Sequence, residues 1–135
     1  MNIYWDSCVA IYRVENVDPW AATLVQWLDE LDTHAGLRVS ELTRMECRLA
    51  PLRTGNEELL QRYDDFFALP DIAIVDLSRA VFDRATELRA RHRLKTPDAI
   101  HLAAAIEARC DQFWTNDRRM SAAAAAHLEV RALVP

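Results

Sequence analysis

The chain has 135 residues, a formal net charge of −5 and a hydrophobic fraction of 51%. A chain of this length folds as one domain and buries roughly two-thirds of its unfolded surface, so it needs no disulfide or metal to hold it together. The acidic balance excludes a general electrostatic attraction to nucleic acid, so a polyanion would have to bind through a local basic patch or through metal ions.

The distribution of apolar residues and cysteines indicates a cytoplasmic protein. The first apolar run is interrupted at Asp6, and the longest falls far short of the roughly 18 residues of a membrane span. We therefore expect neither a signal peptide nor a span. The three cysteines, an odd number without metal-ligand or redox spacing, suit a reducing compartment. Because the chain has only two glycines, we expect no flexible linker and predict one domain over residues 1–135.

Taken in order, the predicted elements alternate between short strands and helices. Strands are predicted over 2–5, 37–41, 72–75, 112–114 and 130–133, the last as an edge strand. Helices are predicted over 7–12, 19–32, 43–53, 57–67, 79–92, 97–109 and 120–126. Capping signals at three helix starts support these bounds: Asp18-Pro19, Ser78 and Thr96-Pro97. Short strands alternating with helices predict a parallel sheet covered by helices on both faces.

The helix predicted over 97–109 is the centre of this arrangement. From Ala99 onward it is small and apolar on almost every face, which is typical of a helix buried within a domain. Asp98 lies in its first turn. One explanation is that this carboxylate complements the helix dipole, a contribution of about 0.3–1 kcal/mol. The other is that it enters a cleft and binds a cation, and three further acids favour this second explanation.

Four acids are predicted to meet at the carboxyl edge of the sheet. Asp6 ends the first strand, and Asp117 lies just past the fourth. Asp98 begins the helix that leads into the fourth strand, and Glu46 lies in the first turn of the helix after the second strand. Ligands of such sheets bind just beyond the carboxyl ends of the strands, near the point where the strand order reverses. The topology therefore predicts a functional site built from these four side chains.

Each acid also has a purely structural explanation. Thr43 and Glu46 have the spacing of a capping box, and Asp6 and Asp117 each precede a predicted helix that they would cap. These roles do not explain why all of the acids lie on one rim. Carboxylates brought close together repel unless cations neutralise them, and hard oxygen ligands suit Mg²⁺ or Mn²⁺. The cluster therefore predicts a divalent-metal site, with the number of ions left open.

Four short segments carry a resemblance that covers the whole chain in order. They are residues 3–7 (IYWDS), 40–46 (SELTRME), 96–103 (TPDAIHLA) and 115–117 (TND). They resemble the motifs of the PIN-domain ribonucleases, most of all the small VapC-type toxins of type II toxin–antitoxin systems. The resemblance implies a three-layer α/β/α sandwich with a five-stranded parallel sheet. It also implies a metal-dependent endoribonuclease, a homodimer and a small cognate antitoxin that blocks the active site.

Matched to these motifs, Asp6, Glu46, Asp98 and Asp117 form the implied catalytic set. Asp6, Asp98 and Asp117 are the implied ligands of Mg²⁺, with Mn²⁺ as an alternative ion. Glu46 is expected to orient the attacking water or to hold a second ion. The expected reaction is hydrolysis of an RNA phosphodiester by a water molecule that the metal activates.

The residues beside the acids follow the family pattern less closely. The hydroxyl groups of Ser7 and Thr115 match it, and we expect them to hydrogen-bond the acids or the phosphate. Cys8 departs from the pattern, because Ser or Asn is expected there to support the first acid.

The expected substrate contacts lie in a basic run from Arg84 to Lys95 that leads directly to Asp98. Arg93 and Lys95 are the predicted phosphate contacts. The alternative is a solvated helix end whose cations suit the dipole. His101, one turn after Asp98, is interpreted as a hydrogen-bonded helix residue.

Other functional classes share parts of this pattern. A phosphorelay receiver domain also has acids at this edge, but here Ser7 and Cys8 follow the first acid and no lysine follows Lys95. The stronger alternative is a PIN-like domain that acts on structured DNA or serves as a non-catalytic module for binding nucleic acid or protein. The complete set of four acids favours the ribonuclease.

Overall fold

The computed structural model describes residues 1–133 and contains one parallel sheet between two layers of helices. The strands are β1 Asn2–Trp5, β2 Gly36–Ser40, β3 Ile72–Val75, β4 Gln112–Thr115 and β5 Glu129–Ala132. The helices are α1 Ser7–Glu15, α2 Trp20–Asp29, α3 Glu41–Thr54, α4 Glu57–Phe67, α5 Arg79–His92, α6 Thr96–Glu107 and α7 Arg118–Ala124. The predicted three-layer α/β/α sandwich with a five-stranded parallel sheet is confirmed.

The order of the strands is β3-β2-β1-β4-β5, and every neighbouring pair is parallel. The chain builds from β1 toward one edge and then returns to add β4 and β5 on the other side. The order therefore reverses between β1 and β4. The backbone N–H of Asp6, just past β1, bonds the carbonyl of Trp114 at 3.0 Å. This junction is where ligands of open parallel sheets bind.

Each face of the sheet has its own core, because successive side chains of a strand point to opposite faces. Tyr4 stacks on Phe113 against α5, α6 and α7, with ring centroids 5.5 Å apart. On the other face Trp5 stacks on Trp114 against α1, α2 and α4, with centroids 6.1 Å apart. Both tryptophans are almost fully buried, so they belong to the core.

Helix α6 is buried along most of its length, as its composition predicts. Every residue from 99 to 105 is buried, including His101. Small side chains allow the sheet and α5 to approach this helix closely. None of the helices found between residues 1 and 133 has the length and apolar character that crossing a bilayer requires.

The starts of α2 and α6 differ from the sequence predictions in the residue that forms the N-cap. Helix α2 has Pro19 at its N-cap without a side-chain bond, so the prediction of Asp18 as N-cap is wrong. The carbonyl of Val17 accepts the N–H of Ala21 at 2.8 Å. A backbone carbonyl therefore pairs with the N-terminus of α2 in place of the predicted side chain. Helix α6 begins one residue early, at Thr96, because Lys95 occupies its N-cap.

The start of α3 differs in a way that matters for the site. The helix begins at Glu41, and the N–H of Ser40 bonds the hydroxyl of Thr43 at 3.1 Å. The predicted capping box between Thr43 and Glu46 is therefore wrong, because Thr43 is already paired with Ser40. Glu46 lies in the second turn of α3 and not in the first, so its carboxylate is available for other contacts.

Candidate active site

Three of the predicted acids, Asp6, Glu46 and Asp117, lie within electrostatic reach of the fourth, Asp98, at the carboxyl edge of the sheet. The pKa of Asp98 is raised, first by partial burial and then by the negative charges of Asp6 and Asp117, with a smaller contribution from Glu46. Charges act on a pKa in this way only over short distances. The structure thus brings together side chains that lie up to 111 residues apart in the sequence.

Asp6 is held from two sides at the end of β1. Only 8% of its surface is exposed. Its Oδ1 accepts the N–H of Ser7 at 2.9 Å, which caps α1, and its Oδ2 accepts the hydroxyl of Thr115 at 2.7 Å. The predicted capping role of Asp6 is confirmed. It is compatible with ligand binding, because each carboxylate oxygen has a second lone pair.

Asp117 caps α7 and is exposed at the end of β4. Its Oδ1 accepts the N–H of Met120 at 3.0 Å, as predicted for a cap, and its own N–H bonds the hydroxyl of Thr115, also at 3.0 Å. Thr115 therefore links two of the acids, since its hydroxyl donates to Asp6 and accepts from the backbone of Asp117.

Glu46 faces Ser7 and His101 from the second turn of α3. Its Oε1 accepts the hydroxyl of Ser7 at 2.8 Å and lies 2.5 Å from Nε2 of His101. Partial burial raises the pKa of this carboxyl, but the hydrogen bond and charge of His101 and the bond from Ser7 outweigh it. The net pKa of Glu46 lies below its ordinary value, so the carboxylate stays ionised at neutral pH.

His101 is a member of the site that sequence reasoning underestimated. It is a hydrogen-bonded helix residue, as interpreted, and its Nδ1 lies 2.8 Å from the hydroxyl of Tyr4. Its Nε2, however, also contacts Ser7 at 3.1 Å and Glu46. The available signal was its position three residues after Asp98, which puts both on the same side of α6.

Cys8, the departure from the family pattern, has a partly buried thiol beside the first acid. Burial, followed by the charge of Asp6, raises the pKa of this thiol to about 12. It is therefore protonated at neutral pH, and a neutral thiol is a poor nucleophile and metal ligand.

Arg93 and Lys95 lie on the short connection between α5 and α6, which leads to Asp98. Both are exposed, Arg93 as the C-cap of α5 and Lys95 as the N-cap of α6. Two other members of the basic run have structural partners: Arg84 bonds Glu107 at 3.0 Å, and Arg89 bonds the carbonyl of Leu94 at 3.1 Å. The role of Arg93 and Lys95 in phosphate binding stays a prediction.

The chemistry of the acids fits a divalent cation with hard oxygen ligands. Asp6, Asp98 and Asp117 offer carboxylates, and the raised pKa of Asp98 records the mutual repulsion that a cation would relieve. Among residues 1–133, no three side chains of the types His, Cys, Asp and Glu lie close enough to enclose a metal ion. Mg²⁺ keeps several waters and binds one or two carboxylates, so it does not require such an enclosure.

Comparison with known proteins supports the assignment of the fold. A family model described as the PIN domain matches residues 3–126 of the chain. The search of curated protein sequences gave no match.

Three solved structures illustrate the similarity in fold. The VapBC2 structure from Rickettsia felis, bound to a promoter DNA fragment, has 16% identity and a TM-score of 0.80 and covers 99% of this chain and 100% of that one. DNA-bound VapBC from Salmonella typhimurium has 14% identity and a TM-score of 0.78, covering 99% of each chain. Mycobacterium tuberculosis VapC20, described as a sarcin–ricin loop cleaving toxin, has 16% identity and a TM-score of 0.76, covering 96% and 98%.

Proposed function

Since the chain belongs to the PIN domain family, we propose that it is a Mg²⁺-dependent endoribonuclease and the toxin of a toxin–antitoxin pair. The observation that carries the proposal is the convergence of four carboxylates at the reversal of strand order, where the pKa of Asp98 is raised by partial burial and then by its acidic neighbours. The similarity in fold to a toxin described as cleaving the sarcin–ricin loop supports RNA as the substrate.

Asp6 and Asp98 would bind Mg²⁺, or Mn²⁺ in its place, directly, and Asp117 would bind it directly or through a water molecule. The bound ion would neutralise charge on the scissile phosphate and lower the pKa of a coordinated water. Thr115 keeps the carboxylate of Asp6 in a fixed orientation through its 2.7 Å hydrogen bond. Glu46, which stays ionised, would orient the attacking water and accept its proton as the water oxygen bonds phosphorus and the ester oxygen leaves.

Arg93 and Lys95 would contact the phosphates on either side of the scissile bond. Both are exposed on the connection that precedes Asp98, and the protein as a whole carries a net charge of −5. A polyanion therefore needs local cations next to the acids, and these two side chains provide them.

The antitoxin that blocks the active site would also bind a groove of about 500 Å³ between α1, α2 and α4. Leu28, Phe66 and Leu69 contribute apolar walls, and the charged side chains of Arg13 and Asp65 lie among the lining residues. Such a groove suits an amphipathic segment of a partner protein. Several structures with a similar fold are toxin–antitoxin complexes, which supports this partner class.

A second copy of the chain would cover the exposed face of α3. Met45, Leu49 and Leu52 recur at helical spacing there, with 60%, 45% and 57% of their surfaces exposed. Apolar side chains grouped in this way mark an interaction surface. We place the dimer in the cytoplasm, where the three free cysteines would stay reduced.

The decisive experiment is cleavage of total cellular RNA by the purified protein, separated from any partner, with Mg²⁺, with Mn²⁺ and with EDTA. Asp98→Asn is the test variant, and Asp83→Asn, an exposed aspartate of α5, is the matched control. We expect discrete fragments that require metal, disappear with Asp98→Asn and persist with Asp83→Asn. Structured DNA is tested in parallel. Cleavage of DNA alone, or no cleavage by a folded wild type loaded with metal, would contradict the proposal.

A further inference from the structure

A network of hydrogen-bonded side chains connects Ser40, at the start of α3, with Glu46, one of the four acids. The hydroxyl of Tyr4 lies 2.9 Å from Oγ of Ser40 and 2.8 Å from Nδ1 of His101. Nε2 of His101 lies 2.5 Å from Oε1 of Glu46 and 3.1 Å from Oγ of Ser7. Four of these five side chains are buried, and only Glu46 reaches solvent. A buried network of polar side chains has few alternative arrangements, because any side chain that lost its hydrogen bond would keep the cost of desolvation without compensation.

The two hydrogens that face Glu46 can be assigned. Ser7 has a single hydroxyl hydrogen, and it donates to Oε1 of Glu46. A contact of 2.5 Å between Nε2 and the same carboxylate oxygen requires a hydrogen between them, since two acceptors repel at that distance, and this hydrogen lies on Nε2 because the carboxyl group of Glu46 is ionised. This holds whether Nδ1 of His101 accepts the hydroxyl of Tyr4 or donates to it. Two donors therefore converge on Oε1.

We propose that His101 is a positioning residue, which fixes the carboxylate of Glu46 so that Oε2 meets the attacking water. The inference rests on the proposed function. A glutamate has three rotatable bonds, and holding it in one orientation costs conformational entropy. The hydrogen from Nε2, added to that from Ser7, compensates this cost, and Tyr4 with Ser40 keeps the imidazole ring from turning away.

The placement of the hydrogen is tested without any activity measurement. The full-length, metal-free protein is labelled with ¹⁵N at its histidines, and the ring signals of His101 are identified by their absence in His101→Gln. We expect hydrogen on Nε2, with exchange that becomes at least about tenfold faster in Glu46→Ala. Glu41→Ala, an exposed glutamate at the start of the same helix, is the control and should leave exchange unchanged. A neutral His101 with hydrogen on Nδ1 only would overturn the proposal.

The positioning role is tested by two substitutions that keep different nitrogen atoms of the ring. In His101→Gln the amide nitrogen reaches the place of Nε2, whereas in His101→Asn it reaches only the place of Nδ1. We expect kcat for RNA cleavage to fall about 10–100-fold in His101→Asn, with KM nearly unchanged, and His101→Gln to keep most of the activity. Equal losses in both variants, or a loss confined to KM, would show that the residue has a structural role only.

Two further measurements distinguish a failure of this proposal from a folding defect and from a failure of the proposed function. Thermal unfolding is measured for both variants, and if His101→Asn does not fold, Tyr4→Phe replaces it because it removes only the hydroxyl that holds Nδ1. We then expect a lower kcat at unchanged KM, and an unchanged kcat would overturn the proposal. If the wild type cleaves no RNA, the proposed function fails, and the ¹⁵N measurement still decides whether His101 holds Glu46.

Discussion

The two ends of the parallel sheet consist of the same strands but carry different chemistry. Within residues 1–133, six of the seven buried polar side chains lie at the carboxyl end: Asp6, Ser7, Ser40, Thr43, His101 and Thr115. The seventh, Gln112, begins β4 at the amino end. The amino ends of β2 and β3 instead contribute Leu37 and Ile72 to the groove between α1, α2 and α4.

This difference follows from the connectivity of the chain. Helices α1, α3 and α7 each begin directly after a strand, so their N-termini collect at the carboxyl end, where Asp6, Ser40 and Asp117 are the N-caps. Helix N-termini offer unpaired N–H groups and a positive dipole end, which stabilise buried acids there. The carboxyl end of the sheet can therefore hold the charged side chains that a reaction requires, whereas the amino end can be lined by apolar side chains.

The largest expected effect is a difference in RNA cleavage between substitutions of two aspartates that lie at opposite ends of the sheet. Asp6→Asn should lower RNA cleavage by at least about 100-fold, since it removes a charge aimed at the reacting centre. Asp111→Asn should leave cleavage unchanged, although Asp111 also accepts a backbone N–H, from Asn2 at 2.7 Å. Cleavage rates of both variants at saturating Mg²⁺ test the comparison. Similar losses in the two variants would mean that the ends do not differ in function.

A second pair of substitutions compares the two ends of β4. Thr115→Val removes the hydroxyl that holds Asp6, and we expect cleavage to fall about 10–100-fold. Gln112→Leu leaves the indole N–H of Trp114 without its 2.9 Å acceptor, which should lower the free energy of unfolding by about 1–3 kcal/mol without changing the rate. Urea unfolding and cleavage assays on both proteins check this division. A slower Gln112→Leu enzyme of normal stability would contradict it.

The acidic side chains at the carboxyl end of the sheet should also make the stability of the protein depend on pH. The pKa of Asp98 is raised above its ordinary value of 3.8 by burial and by neighbouring acids, so protonated Asp98 stabilises the folded state. That stability is full below the ordinary pKa and is lost as the pH rises through the raised one. In metal-free protein, Asp98→Asn should therefore gain stability relative to wild type across this window.

Urea unfolding over a series of pH values, with and without Mg²⁺, measures the effect. Mg²⁺ should stabilise the wild type more than Asp98→Asn, because a ligand that binds only the folded state adds to its stability. A difference between the two proteins that does not change with pH would contradict the raised pKa of Asp98.

The smallest expected effects on cleavage come from exposed leucines outside the carboxyl end. Leu69→Arg, in the groove, should weaken binding of the proposed antitoxin about tenfold or more and leave the proposed dimer intact. Leu52→Arg, on α3, should do the reverse. Titration of the antitoxin and sedimentation of the free protein distinguish the two surfaces, while cleavage stays at the wild-type rate in both. A dimer that persists in Leu52→Arg would exclude the α3 face as the contact.

Local signals in the sequence were enough for most of the fold and for the edge of the sheet at which the four acids meet. The bounds of β1, β3, α4 and α5 match the predictions, because alternation, helical spacing and caps such as Ser78 depend on neighbouring residues. The meeting of the four acids was also predictable, since parallel strands joined by helices leave no other edge for Asp6 and Asp117. Their proposed roles as metal ligands depend on the experiments above.

Only the tertiary structure decided which partner each polar side chain takes. Thr43 lies three residues from both Ser40 and Glu46, so two caps fit its spacing equally well. The choice depends on where β2 ends, and that is determined by the pairing of Ser40 with Val75 on β3. His101 likewise meets Glu46 across 55 residues of sequence, a contact made when α6 packs beside α3. Hydrogen bonds between segments that are distant in the sequence depend on how the helices and strands pack, so no local sequence pattern predicts them.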